Sequence, residues 1–273
     1  MSMVINTNAV SLGAQRNLAN TQNALSANLQ KLSSGMRITS AADDAAGLGI
    51  SERLKSQVRS LQQASRNAND GISMGQVAEG AMNEQAGILV RLRELAVQSA
   101  NGSLGTNERG YIQTEADELV AEIDRISNVT EFNGVNMIAA GTAAIDFQVG
   151  INNGDTISMN FGATDTATLG VDALDYSSAA SASTAIDSLD AAIDALSTQR
   201  SDIGAGMSRL QTTVTNLATA HENLSAANSR IRDVDVAEET AAMTRNQILS
   251  QAGVAVLAQA NQLPSAALSL LRG

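Results

Sequence analysis

The sequence predicts a mainly α protein: a long coiled-coil helical bundle with a small β-hairpin, and terminal helices that pair as a second coiled-coil domain. Three observations support this fold class. Apolar residues repeat every seven positions through the C-terminal third of the 273-residue chain. Aromatic residues form only 2% of the chain, so aliphatic side chains must fill the core. A single proline, Pro264, leaves the long helices uninterrupted.

The two chain ends resemble each other. Residues 1–36 and 240–273 each carry apolar side chains at helical spacing and only two charged residues. Short helices of this kind are marginal alone in water, so we expect them to pair and to bury their remaining apolar surface against something outside the monomer. The predicted assembly core consists of leucines from both ends: Leu18, Leu25, Leu29, Leu32, Leu257, Leu263, Leu268, Leu270 and Leu271.

Two further helices are expected in the first half of the chain. An apolar stripe runs from Ala42 to Ser99, and Asn101-Gly102 ends it, because glycine is favoured just past a helix C-terminus. Thr106 begins a third helix, whose apolar face extends to Ile126. These helices can bury their stripes only against each other and against the C-terminal coiled coil.

Strand signals replace helical periodicity near the middle of the chain. The segments AIDFQVG and TISMNFG, which begin at Ala144 and Thr156, alternate apolar and polar residues. Residues 152–155 between them form the turn signal NNGD, so we expect a β-hairpin within about residues 137–176. The serine- and alanine-rich segment Ser177–Thr184 is predicted to be a loop that leads into the coiled coil.

The coiled coil has two seams. The first is regular and consists of Leu189, Leu196, Ile203, Leu210, Leu217, Leu224 and Ile231. The second seam, from Ile186 through Val214, is interrupted by Arg200, His221 and Asn228. Buried polar residues at such positions cost stability, but they can determine the register of the helices.

The charge and hydropathy of the chain exclude several classes of binding partner. The net charge of −11 argues against nucleic acid and against an anionic membrane surface. No run approaches the ~20 apolar residues of a spanning helix, so we expect no membrane insertion. The N-terminus lacks the pattern of a cleaved signal peptide, which fits either a cytoplasmic protein or export by a route without such a signal.

The residues that could carry chemistry are few. Without cysteine and with His221 as the only histidine, the chain offers neither a catalytic triad nor a transition-metal site. Asp43-Asp44 lies where a helix should begin, so we interpret it as a helix cap. Gly47-Leu48-Gly49 lacks the third glycine and the preceding strand of a dinucleotide fingerprint. We therefore expect no enzyme activity, no cofactor and no metal.

Basic residues cluster on the second helix. Arg53, Lys55, Arg59 and Arg66 fall along it without interleaved aromatic residues. A solvated face or a subunit contact explains them better than nucleic-acid binding does. The residues alone thus indicate a binding or structural protein whose helices associate through their ends.

Five segments carry a resemblance to bacterial flagellin. They are LQKLSSGMRITSAADDAAGLGISERL from Leu29, QASRNANDGISMGQVAEGAMNE from Gln63, RLRELAVQSANG from Arg91, EIDRISNVTEFNGVNM from Glu122 and AEETAAMTRNQILSQAGVAVLAQANQLP from Ala237. The resemblance covers nearly all the predicted helices, and the motifs are long and follow the family's order.

The resemblance implies a fold and a function. Residues 1–42 and 237–273 correspond to the family's inner terminal helices (D0), and residues 43–236 to the helical bundle with its hairpin (D1). About fifty residues separate the two halves, which leaves no room for outer domains. The implied function is a structural subunit that self-assembles into the flagellar filament for motility. The alternative is a hook–filament junction protein, which shares the terminal helices.

The family's partners are expectations of the same kind. They are other copies of the chain, an export chaperone, the type III export apparatus, and the filament cap and hook-junction proteins. Export by that apparatus leaves no cleaved signal peptide and places the protein outside the cell. The resemblance also implies a surface for a host Toll-like receptor at Arg91, Leu95 and Glu115, although Val90 stands where a polar residue is common.

Overall fold

The computed structural model describes residues 7–272, with side chains described for residues 7–262. The chain forms two compact units. Unit 1 comprises residues 1–56 and 223–273, and unit 2 comprises residues 57–222. The predicted domain boundaries lie elsewhere: 42/43 is in the connection before the helix that begins at Ala45, and 236/237 follows the first residue of the last helix, Val236. They follow the family resemblance and remain a proposal.

The mainly α prediction is confirmed. Helices and strands follow one another along the chain as α1 (Ala9–Ser34), α2 (Ala45–Ser99), α3 (Thr106–Val129), β1 (Glu131–Phe132), β2 (Val135–Asn136), β3 (Ile145–Gln148), β4 (Thr156–Met159), α4 (Thr166–Leu169), α5 (Ala179–Arg232) and α6 (Val236–Arg272).

The core of unit 2 forms around the first heptad seam. Leu189, Leu196, Ile203 and Leu210 are fully buried, because α5 turns this stripe towards the apolar faces of α2 and α3. The second seam lies at the edge of the same core, where Ile186 is partly buried. The heptad pattern therefore predicted the residues from Leu189 to Leu217 that pack in the core, and the structure shows that the first seam is the more deeply buried of the two.

The predicted β-hairpin is present and packs on glycines. β3 and β4 pair antiparallel, with Ile145 opposite Met159 and Phe147 opposite Ile157. A Cβ placed on Gly71 of α2 would lie only 3.1 Å from the Phe147 ring. The missing side chain at Gly71 thus lets the hairpin ring approach the helix backbone, together with Leu210 Cδ1, which would lie 2.9 Å from the same Cβ.

The connection into α5 differs from the prediction. Ser177–Thr184 is not all loop, because α5 already begins at Ala179. The Ser181 amide donates to Ser178 Oγ at 3.0 Å, which caps the helix well before Ile186, its first large apolar side chain. The short helix α4 has no counterpart in the apolar periodicity, and Asp165 caps it by accepting a hydrogen bond from the Thr168 amide.

Tyr176 anchors this connection to the bundle. Its carbonyl accepts from Ser99 Oγ at 2.6 Å, its amide donates to Gln113 Oε1 at 2.7 Å, and its hydroxyl donates to the Leu92 carbonyl at 3.3 Å. Burial raises the pKa of the phenol to about 12. Tyr176 therefore stays a neutral donor and joins the connection to both α2 and α3.

The turn of the β3–β4 hairpin depends on Gly154. Its φ of 89° lies in the left-handed region, where a side chain costs about 1–2 kcal/mol. We expect Gly154→Ala to lower the free energy of unfolding by about that amount in chemical denaturation. Gly102→Ala is the matched control, because Gly102 has an ordinary φ and open space around it. Equal stability of the two variants would contradict the assigned role of the turn.

Candidate assembly interface

The terminal helices α1 and α6 lie side by side in unit 1, and we call them the terminal pair. The connections at one end of the pair are joined by backbone hydrogen bonds. The Arg37 amide donates to the Arg232 carbonyl at 2.7 Å, and the Val234 amide donates to the Gly35 carbonyl at 3.1 Å. Gly35 permits this turn, because it ends α1 at a φ of 70°.

Polar contacts join the other end of the terminal pair. Asn8 caps α1 by accepting from the Ser11 amide, and its Nδ2 donates to the Ala260 carbonyl at 2.8 Å. Ser11 Oγ donates to Asn261 Oδ1, also at 2.8 Å. Because these bonds join residues about 250 positions apart in sequence, they hold the start of α1 against the C-terminal part of α6.

The leucines predicted for assembly occupy different environments. Leu18, Leu25, Leu32 and Leu257 are half-buried. A Cβ on Gly253 would lie 3.3 Å from Leu18 Cδ1, so at least Leu18 faces α6. Leu29, in contrast, is 51% exposed. The remaining predicted leucines lie outside the described side chains: Leu263, Leu268, Leu270 and Leu271.

Several other apolar residues of the terminal pair face solvent. On α1, Val10 and Leu12 are more than half exposed. On α6, Ile248 is 60% exposed, and Val254 and Val256 are more than half exposed. Large apolar side chains left this exposed on two paired helices are available for contact with another protein. The amphipathic pattern predicted the helices, but it did not predict which apolar residues the pairing leaves uncovered.

The residues of the predicted receptor surface lie in unit 2, and the structure brings two of them together. Arg91 donates to Glu115 Oε1 through Nε at 3.0 Å and Nη2 at 2.7 Å, and through Nη1 to Glu94 at 3.0 Å. The hydrogen bond with Glu115 is the main cause that raises the pKa of Arg91. All three side chains are about half exposed, so other proteins can reach this cluster.

Leu95 requires a correction. It is only 1% exposed and belongs to the core of unit 2, because the α2 stripe that contains Leu92 turns it inward. Leu95 therefore supports the helix that presents Arg91 and offers no side chain to a partner. Arg91 and Glu115 alone remain as surface residues of the predicted site.

The candidate chemical residues have structural roles. Gln62 Nε2 and His221 Nε2 lie 2.9 Å apart and join α2 to α5. Asp44 Oδ1 accepts from the Gly47 amide at 2.8 Å, which confirms the predicted cap of α2. Asp43 Oδ2 accepts from Thr39 and Ser40, and these bonds, chiefly the one from the Ser40 backbone, lower the pKa of Asp43 to about 2.

The described part of the chain offers neither a metal site nor a membrane-spanning helix. Within residues 7–262, no group of three or more histidine, cysteine, aspartate or glutamate side chains is placed to hold a metal ion. Over the same residues, no helix is both long and apolar enough to cross a membrane.

The chain matches known proteins over nearly its whole length. Residues 5–143 match the bacterial flagellin N-terminal helical region, and residues 186–271 match the bacterial flagellin C-terminal helical region. The flagellar filament 33 kDa core protein of Treponema phagedenis is 46% identical over 99% of this chain and 100% of its own length. A flagellin of Halalkalibacterium halodurans is 46% identical with the same coverage.

A solved structure agrees with these relatives. The crystal structure of Bacillus cereus flagellin matches 60% of this chain and 94% of its own, with 30% identity and a TM-score of 0.51. Sequence and fold thus point to the same family, whose members are structural proteins and not enzymes. This chain belongs to the bacterial flagellin family, and it is a structural subunit of the flagellar filament.

Proposed function

We propose that the terminal pair is the main contact through which copies of this chain polymerise, and that it corresponds to the inner D0 part of the filament. The observation that carries the proposal is the exposed apolar surface of α1 and α6. Valine, leucine and isoleucine side chains there are half or more uncovered, although the two helices already contact each other. A neighbouring copy can bury them, which contributes about 1.5–3 kcal/mol for each side chain that becomes fully buried.

Unit 2 corresponds in this proposal to D1, and it is already folded in the monomer before the copies polymerise. Its core is complete without the terminal pair, since the buried heptad seam and its neighbours lie within residues 57–222. The two units therefore differ in how completely they pack within one copy. Unit 2 folds by itself, while the terminal pair becomes fully buried only in the polymer. The hook–filament junction function has no comparable support, because the relatives described above match over their full length and are filament proteins or flagellins.

The finer expectations about partners rest on the family resemblance. We propose export through a type III apparatus without a cleaved signal peptide, with a chaperone on the C-terminal helix, and contacts to cap and hook-junction proteins. We also propose that Arg91 and Glu115 form part of a surface that a host Toll-like receptor binds. The exposed Arg91–Glu115–Glu94 cluster supports the last proposal, because it is accessible and geometrically ordered.

Charges placed on the apolar face should prevent assembly. The double variant Ile248→Asp, Val256→Asp puts two carboxylates where the proposal requires dry contacts between copies, so we expect filament yield in sedimentation assays to fall below detection. Helix content by circular dichroism should change little, because both side chains face solvent in the monomer.

The matched control is Val135→Asp, the same change at a half-exposed valine on β2 of unit 2. We expect this variant to polymerise like the unmodified protein. Filaments of normal yield from the double variant would overturn the proposed role of the terminal pair, as would an equal loss of yield in the control.

A further inference from the structure

Charge is distributed unevenly within unit 2. The unit holds 21 acidic and 8 basic side chains, but residues 71–204 hold 19 of the acidic and only 5 of the basic ones. Residues 57–70 and 205–222 hold the remaining 3 basic and 2 acidic side chains. One part of unit 2 is thus slightly basic, and the rest is strongly acidic.

The helix segments that carry Arg59 and Arg66 and the segment that carries Asp187 and Asp194 lie near opposite ends of the α2–α5 pair. Gln62 bonds with His221 near one end of the α2–α5 pair, and Arg93 donates to Asp190 at 2.6 Å near the other end. Gln62 and Arg93 belong to one continuous helix, so at about 1.5 Å per residue these two contacts are roughly 45 Å apart. Ionic attraction between the two ends of one copy is screened over such a distance.

Two arginines form a charged face at the basic end. Arg59 and Arg66 are seven positions apart on α2, so their side chains leave the same face of the helix, and both are exposed. Arg66 bonds only with the neutral side chain of Gln63. The side chain of Arg59 has no hydrogen-bond or ionic partner among the described residues. Neither arginine is therefore neutralised within the chain.

Two exposed aspartates at the acidic end have the same spacing as the two arginines and the opposite charge. Asp187 and Asp194 are seven positions apart on one exposed face of α5. The neighbouring Asp190 engages Arg93, whereas the carboxylates of Asp187 and Asp194 have no partner within residues 7–262. Each pair spans two helical turns, roughly 10.5 Å, so the arginine pair and the aspartate pair have the same spacing.

We infer that the Arg59–Arg66 face of one copy docks on the Asp187–Asp194 face of a second copy. The inference rests on the proposed polymerisation and names a second contact for it, on unit 2. A second copy is the partner that the charges fit, because this chain carries both halves of the complementary pattern and cannot join them within itself. Exposed ion pairs are individually weak, but complementary charge determines register and excludes wrong orientations.

A charge swap in the full chain tests the inference. Arg59→Asp with Arg66→Asp should raise the critical concentration for seeded filament growth about tenfold, because like charges then face each other. Asp187→Arg with Asp194→Arg should have a similar effect. Combining all four substitutions restores complementarity between copies, so the critical concentration should return to within about twofold of the unmodified value.

Controls separate this contact from a general effect of net charge. Arg59→Asp and Arg66→Asp combined with Glu84→Arg and Glu131→Arg has the same net charge as the swap but leaves the contact mismatched, so it should stay impaired. Should a reversal variant fail to fold by circular dichroism, Arg59→Gln with Arg66→Gln replaces it and should make growth less dependent on sodium chloride.

The outcomes distinguish the inference from the proposed function. Failure of the four-substitution swap to restore growth, or rescue by the Glu84 and Glu131 control, would overturn the inference while filaments of the unmodified protein still form. A chain that forms no filaments under any condition would instead contradict the proposed polymerisation.

Discussion

Removal of residues 255–273 is expected to abolish filament growth and to leave unit 2 folded. The deletion removes the exposed Val256 together with Ala260 and Asn261, which bind Asn8 and Ser11 at the start of α1. The terminal pair then loses both an apolar face for neighbouring copies and the contacts that hold its own end together. Electron microscopy and sedimentation after seeding would measure the loss of filaments.

Thermal unfolding followed by circular dichroism provides the control for this deletion. The transition of unit 2 should be preserved, because its core residues lie within residues 57–222. Limited proteolysis of the full-length monomer should remove roughly the first and last forty residues and leave a stable fragment, since helices with few buried contacts open most readily. Normal filaments from the truncated protein, or a protease-resistant C-terminus in dilute monomer, would refute this explanation.

Leu95→Ala is expected to destabilise unit 2 by about 2–5 kcal/mol, since it leaves a cavity among fully buried neighbours such as Leu92. Arg91→Ala, one helical turn away, should cost far less stability than Leu95→Ala, because its ion pairs are half exposed and screened by solvent. Urea denaturation of the two variants measures the difference directly. Similar costs for the two substitutions would contradict the core position of Leu95.

The same two variants test the receptor surface. If the proposal for Arg91 and Glu115 holds, Arg91→Ala reduces receptor signalling by the monomer at full stability, whereas any loss caused by Leu95→Ala follows the amount of unfolded protein. Glu115→Gln removes the charge that Arg91 faces and keeps the size of the side chain, so it should reproduce part of the Arg91→Ala effect. Unchanged signalling by both Arg91→Ala and Glu115→Gln would remove the support for this surface.

Local patterns predicted the elements well. The seven-residue repeat from Leu189 onward predicted the long helix α5 and its core-facing residues. Alternation around Phe147 and the turn signal at Gly154 gave the β-hairpin. These features depend on neighbours within a few positions, where backbone geometry alone decides which side chains share a face. Local periodicity does not predict every helix start. The caps Asp165 and Ser178 begin helices at positions that apolar periodicity does not mark.

The sequence by itself determined the helical class, the hairpin, the family and the amphipathic character of both chain ends. Each of these follows from local periodicity or from contiguous motifs. Only the tertiary structure decided that Leu95 is buried while Arg91 meets Glu115. It also decided that Ile248 and Val256 remain exposed when α1 and α6 pair. The physical reason is that an apolar stripe on a helix is wider than any single contact, so the position of the neighbouring helix selects which part of the stripe is buried.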